Sequence, residues 1–202
     1  MARRSDHTRE ELHRLALDAA RDITEREGLR GLRARQIVRD IGYTIGTLYN
    51  LFDDLDDLVV QMNGETLDAL HAACADVAMD GEPEDNLRAL ASRYLAFTRA
   101  HPKLWNAIFE HKLPNGRQLP VWFAEKVDRL LQLEEAALAT LFGQGDKDIC
   151  QHHARVLWTS LFGMASVESA DRLPQGVTAE QLVATLIEVY VAGLRQKIQL
   201  AA

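Results

Sequence analysis

Apolar residues recur every three or four positions along almost the whole chain. Leu12, Leu15, Ala16, Ala19, Ala20 and Ile23 form the first such stripe, the pattern of a helix with one buried face. Thr8 followed by Glu11 has the form of a capping box, and Gly28 supplies a stop, so the spacing predicts a helix from about Thr8 to Glu27. Leu29 and Leu32 read as loop residues turned into the core. Ile37, Val38 and Ile41 then mark a short helix over 34–41, and Gly42 ends it, because glycine takes the left-handed conformation without a Cβ clash. Thr44 stands where an N-cap belongs, and Ile45 and Leu48 carry the apolar side of a third helix over 45–51.

Asp54, with Asp57 completing a box-like arrangement, opens a long fourth helix from Leu55 to about Met79. Its buried side is Leu58, Val59, Met62, Leu67, Leu70, Ala73, Cys74 and Val77. Further helices are predicted over 84–100, 103–111, 121–142 and 146–173, and a last one, capped by Thr178 and Gln181, reaches about Leu200. The breaks between them fall at Asp80–Pro83, His101–Pro102, Leu113–Gly116, Gly143–Gly145 and Pro174–Gly176, all glycine or proline turns. No strand-like alternation, repeat or low-complexity tract interrupts the series. The expected fold class is all-α, with about nine helices: an N-terminal three-helix unit followed by a larger helical bundle.

The second and third helices with their tight turn form a helix-turn-helix, whose second helix can enter a DNA major groove. Such a helix needs small or polar residues at its N-terminal end, so that its backbone can approach the bases. Thr44, Ile45, Gly46 and Thr47 fit: Thr47 can meet a base edge and Ile45 a thymine methyl. Tyr49 and Asn50 are placed to bond phosphates, and Arg35 and Gln36, opening the helix before, to reach phosphate or a guanine edge.

Charge changes the picture in a useful direction. The 202-residue chain has a net charge of −7, which by itself speaks against nucleic acid. Residues 1–50, however, hold ten arginines against eight acidic residues, and the remainder holds 13 cations against 22 acids. A relatively basic head on an acidic body suits a small DNA reader, and equally an acidic helical protein with a solvated arginine face.

The run of helix, Gly-x-Thr turn, Gly46-Thr47-Leu48-Tyr49 and Phe52 resembles the TetR family of transcriptional regulators, over about 45 residues. The resemblance implies a DNA-binding domain over 1–54 and a ligand-binding and dimerisation domain over 55–202. It implies a Tyr49 contact with phosphate and an effector pocket enclosed by helices four to eight. It also implies a homodimer in which the last two helices pair with their counterparts. Trp158-x-x-x-Phe162-Gly163 and His101-Pro102-x-Leu104-Trp105 are similar to a C-terminal signature of one TetR subgroup, with Phe162 in place of a histidine. Two features depart from the family. The Ser or Thr that commonly opens the second helix is replaced by Arg33 or Ala34. The Lys of an F-x-x-K phosphate contact is replaced by Leu55 among Asp53, Asp54, Asp56 and Asp57. Those carboxylates suit a helix N-terminus but repel phosphate. The reading is therefore of few phosphate contacts and a shallow salt dependence, offset by Arg3, Arg4 and Arg9 on the N-terminal arm.

The body is rich in aromatics, most of which are core residues by default; Met62, Trp105, Phe109, Trp122 and Phe162 are the candidate effector contacts. The final helices carry small residues suited to close helix pairing, Gly163, Ala165, Ser166, Ser169, Ala170, Ala184, Ala192 and Gly193. Leu182, Leu186, Val189, Tyr190 and Leu194 add apolar surface.

Cys74 and Cys150 read as buried thiols rather than a disulfide. Cys150, His152 and His153 do not converge on one ion from a helix, and no His-Glu-x-x-His or Cys-x-x-Cys pair occurs. No metal, cofactor or catalytic residue is therefore expected, no apolar run suits a bilayer, no secretory leader precedes the first helix, and the location is read as cytoplasmic. The function expected is a homodimeric, ligand-responsive regulator, a repressor by resemblance, on a palindromic double-stranded DNA operator with a small-molecule effector. The alternative is a helical dimerisation or adaptor protein that has lost DNA binding.

Overall fold

In the computed structural model of the chain, which describes residues 7–142 and 146–201, the apolar stripes fold as nine α-helices, with no strand among the described residues. They are α1 (Arg9–Glu27), α2 (Ala34–Asp40), α3 (Ile45–Tyr49), α4 (Leu55–Ala75), α5 (Pro83–Ala100), α6 (Pro102–Glu110), α7 (Val121–Leu138), α8 (Lys147–Ser169) and α9 (Ala179–Ala201). Arg3, Arg4 and the Gly143–Gly145 stop lie outside the described residues.

The chain divides into two compact units. The first comprises the described residues up to Leu67 together with His101–Phe123. Its core joins Ala16, Ala20 and Ile23 of α1 to Ile37 of α2, Leu48 of α3 and Leu58 and Met62 of α4, and Leu104 and Ala107 of α6 complete it. Leu17, which the α1 stripe omitted, is buried as well. This unit is thus larger than residues 1–54, because α6 packs on α1. Asn63 of α4 donates from Nδ2 to the Ala107 carbonyl at 3.2 Å, buried, and Lys103 donates to the carbonyl of Arg26 at the end of α1.

The second unit holds Asp68–Ala100 and the described residues from Ala124 onward. Here α5 packs on α8 and α9, and α8 on α9. Arg99 of α5 fixes one end of the stack, donating to Glu168 Oε1 at 2.6 Å and Oε2 at 2.9 Å and also to Glu180 Oε1. Arg195 of α9 reaches Glu82 and Glu84 beside the start of α5, at 2.8 and 2.9 Å.

Several helices stop earlier than the apolar pattern predicts. The α4 pattern extends to Met79, but the helix ends at Ala75, where the Val77 N–H closes a tighter turn onto Cys74. The α7 pattern extends to Phe142, but regular helix ends at Leu138 and Ala139–Leu141 form a 3-10 turn. The α8 pattern extends to Leu173, but Asp171 takes the left-handed conformation at φ 54°. The N–H of Arg172 then bonds back to Val167. Asp171 fills the place usually given to glycine, which an aspartate tolerates better than most residues.

Candidate nucleic-acid interface

Local chemistry fixes the turn between α2 and α3. Gly42 has φ 76°, the left-handed conformation that closes α2, and Tyr43 N–H bonds to the Val38 carbonyl at 2.9 Å. Thr44 caps α3, its hydroxyl accepting from Thr47 N–H at 3.3 Å. The two threonine hydroxyls are 3.1 Å apart. α1 backs the pair and is itself capped by the reciprocal Thr8–Glu11 box. The N-cap position of α2, Arg33, makes no side-chain cap, as its residue type implies. Its guanidinium instead donates to the carbonyls of Arg30 and Leu32, at 2.6 and 2.8 Å.

α3 turns two unlike faces outward and inward. Leu48 is buried to 1% exposure, whereas Ile45 and Tyr49 are 36% and 46% exposed. Thr44, Gly46 and Asn50 are exposed too, and Thr47 is half-buried. A Cβ at Gly46 would find its nearest neighbour, Thr44 Oγ1, at 3.9 Å, so nothing inside the chain requires glycine there. Across from α3, Arg33, Ala34, Arg35, Gln36 and Arg39 line an open groove with Ile45 and Tyr49, of about 530 Å³. Of the DNA contacts expected from the sequence, the groove brings together Arg35, Gln36, Ile45 and Tyr49, and it adds Arg33 and Arg39. The spacing of Arg39, four residues after Arg35, is the signal that could have found it. Gln36 is engaged: its Nε2 donates to Glu27 Oε1 at 2.8 Å, and this bond, followed by one from Arg26, holds the Glu27 carboxyl below its ordinary pKa.

The acidic start of α4 is compensated from a distance. Asp54 caps the helix by accepting from Asp57 N–H at 2.7 Å. The Asp57 carboxylate accepts in turn from Asp53 N–H at 3.1 Å and not from Asp54, one residue from the expected box. Arg117 donates to Asp54 Oδ2 at 2.6 Å; this bond first, and the Asp57 N–H second, lower the Asp54 pKa. His111 Nε2 lies 3.6 Å from Asp56 Oδ1, although burial favours its neutral ring and lowers its pKa. A relay from α1 completes the cluster: His13 meets Gln61 Oε1 at 2.9 Å, and Gln61 donates to Asp57 at 3.0 Å.

The five candidate effector contacts fall in different settings. Met62 is in the core of the first unit, where the Thr24 hydroxyl points at its sulfur from 3.6 Å. Trp105 is fully buried and meets Phe109, which is 46% exposed, edge to face at 4.9 Å. Trp122 is half-buried beside Phe123, with ring centres 5.8 Å apart. Phe162 is half-buried on α8 of the second unit. Among the described residues no group of three His, Cys, Asp or Glu side chains is placed to hold a metal ion, and Cys74 and Cys150 are buried free thiols. Among the same residues no helix is long and apolar enough to cross a membrane.

A short capped recognition helix on a three-helix core, followed by an all-helical second unit, defines a one-component transcriptional regulator. A family model described as "Tetracyclin repressor-like, C-terminal domain" matches residues 87–190. The chain therefore belongs to the TetR family of transcriptional regulators. Its fold is similar to solved structures over nearly their whole length. One is a protein of unknown function from Rhodococcus sp. RHA1, with TM-score 0.76 and 21% identity, covering 96% of this chain and 100% of that one. A TetR transcriptional regulator from the same organism has TM-score 0.66 and 17% identity, covering 88% and 94%. A TetR regulator from Streptomyces coelicolor also has TM-score 0.66 and 17% identity, covering 94% and 98%. No curated protein matches the sequence.

Proposed function

We propose that the protein is a ligand-responsive repressor that binds a palindromic DNA operator as a homodimer. The observation that carries this reading is the exposed face of α3: Ile45 and Tyr49 stand in solvent across from Arg35 and Arg39. An exposed isoleucine and tyrosine beside arginines are costly on a free surface and useful in a major groove. Thr44, Ile45, Gly46 and Thr47 read base edges, Tyr49 and Asn50 take phosphates, and Arg35, with Gln36 once it leaves Glu27, flanks them. Residues 1–54 thereby do the reading, and 55–202 respond to ligand and dimerise.

Dimerisation is supported by the outer faces of α8 and α9. A Cβ at Gly163 or Gly193 meets nothing within 4 Å, so those glycines are not explained by packing within the protomer. Val156 and Val167 of α8 and Val189 of α9 are 36%, 40% and 67% exposed. Ala184 and Ala192 are exposed as well, whereas Ala165 and Leu194 are buried inside the protomer and are not available to a partner. Two copies related by a two-fold axis present two recognition helices to successive major grooves.

α4 is one helix whose residues up to Leu67 belong to the first unit and whose remainder belongs to the second. An effector held by the body biases the position of α4 and with it the spacing of the recognition helices, a population shift. Phe109, Trp122 and Phe162 are the candidate contacts an effector reaches without opening a core. Selection of binding sites from random DNA tests the reading: a palindrome with half-sites about one helical turn apart supports it. Recovery of no enriched sequence leaves the alternative, an adaptor that has lost DNA binding.

A further inference from the structure

α7 buries a carboxylate that no part of the architecture described so far uses. Glu134 is 6% exposed, and its Oε2 accepts no hydrogen bond from any described residue. It lines two cavities of the second unit. One, about 20 Å³, lies among Leu87, Leu90, Leu157, Leu161, Val183 and Ile187 of α5, α8 and α9. The other, about 10 Å³, lies among Cys74, Tyr94, Leu130, Leu133 and Trp158 of α4, α5, α7 and α8. Leu90, Glu134 and Leu161 line both, so a rotation of either leucine joins the two spaces beneath the carboxyl group.

We propose that this joined cavity is the effector site and that Glu134 recognises the ammonium head of an apolar amine. The proposal rests on the reading of the chain as an effector-responsive regulator. An isolated carboxylate among leucines is strongly unfavourable unless an opposite charge or full hydrogen bonding accompanies it. Neither comes from the chain. Desolvation dominates the behaviour of Glu134, opposed only by a hydrogen bond with Trp158, and no cation of the chain acts on it. The titratable groups it influences are the Cys74 thiol on α4 and the Tyr94 phenol on α5. Both are neutral at physiological pH, because burial pushes them up. The walls supply what an amine's carbon body needs: leucines, and the Tyr94 and Trp158 rings packed edge to face at 5.3 Å. Aromatic rings also favour a cation over a neutral head.

The site has a protonation signature. Burial raises the Glu134 pKa to about 8, so the free protein carries the neutral acid near neutral pH. An arriving ammonium ion favours the carboxylate and drives the proton off, so binding near pH 7 releases up to about one proton per protomer. A merely structural glutamic acid would release none.

Isothermal titration of the full-length protein with benzylammonium, benzyl alcohol and benzoate, in two buffers of different ionisation enthalpy, tests the proposal. The expected result is saturable binding of benzylammonium, at least about 10-fold tighter than the alcohol, with proton release. Glu134→Gln is expected to erase both the preference and the proton release. Glu134→Leu guards against misfolding of that variant: it removes the buried acid, is expected to raise the melting temperature, and should bind the alcohol but not the ammonium. Equal affinity for ammonium and alcohol, binding unchanged in Glu134→Gln, or no saturable binding of the ammonium overturns the proposal. None of these results touches operator binding, which is measured on DNA without amine.

Discussion

Arg117 reaches across 63 residues of sequence to place its guanidinium 2.6 Å from Asp54 Oδ2, the carboxylate that caps α4. The contact ties the loop after α6 to the helix that follows the recognition helix, inside one compact unit. It also bears on DNA binding, because four aspartates crowd this end of α4 and Arg117 neutralises one of them.

Replacing Arg117 with alanine is expected to weaken operator affinity by exposing an unpaired carboxylate near phosphate, and to do so more at low salt than at high salt. Its effect on folding carries a pH sign. The Asp54 pKa is lowered in the folded state, so its contribution is present above the ordinary carboxylate range and is lost as pH falls through its folded pKa. Melting curves of wild type and Arg117→Ala should therefore differ near neutral pH and converge in acid. A difference that persists in acid would assign the effect to packing instead.

The Arg99 cluster gives a second pH test. Its hydrogen bond to Glu180 is the main reason that the Glu180 pKa is lowered to about 2. Arg99→Met is expected to lose on the order of 1 kcal/mol or less near neutral pH, since both side chains are half-exposed and screened. That loss should shrink as pH falls from about 4 toward the folded pKa of Glu180. Denaturant titrations across this range measure it.

Gly46→Ala separates folding from recognition. A Cβ there meets only Thr44 Oγ1, at 3.9 Å, so the free protein accommodates alanine and its helix gains roughly 0.5–1 kcal/mol of propensity. DNA affinity is expected to fall, because the α3 backbone can no longer approach the bases as closely. Thr44→Ala should do the reverse on the stability axis, costing about 1 kcal/mol through loss of the cap. Melting temperature and operator affinity, measured together on both variants, decide the matter. A Gly46→Ala protein that binds normally would mean that α3 is not the reading helix.

The helix-turn-helix was legible because its signals are local: Gly42 closes one helix and Thr44 opens the next within three residues, and both do so in the structure. The nine helices were legible for the same reason. The ends of α4, α7 and α8 were not, because an apolar period continues past the point where the backbone turns, and at Asp171 the turn uses a residue type that gives weak warning. Arg117 on Asp54 and Asn63 on Ala107 were invisible for a different reason: each joins residues more than 40 apart in sequence, and no periodicity encodes such a meeting. Glu134 was read as part of a solvated acidic face because it stands next to Glu135. Only the packing of α7 against its neighbours turns one of the two inward.

The outer faces of α8 and α9 are expected to hold the dimer. Val189→Glu places a charge at a 67% exposed valine, which a monomer tolerates and a two-fold helical interface does not. Sedimentation velocity should show wild-type dimers and a shift toward monomers in the variant, with helicity unchanged. A dimer undisturbed by this charge would place the interface elsewhere.

The central claim is that α3 reads DNA, and the most direct measurement is fluorescence anisotropy with the DNA upstream of the protein's own gene, at fixed salt. The wild type is expected to bind saturably and in preference to scrambled DNA, and Tyr49→Ala to lose at least about 10-fold in affinity at unchanged melting temperature. Binding of Tyr49→Ala indistinguishable from wild type, or no preference of the wild type for that DNA over scrambled sequence, would contradict it.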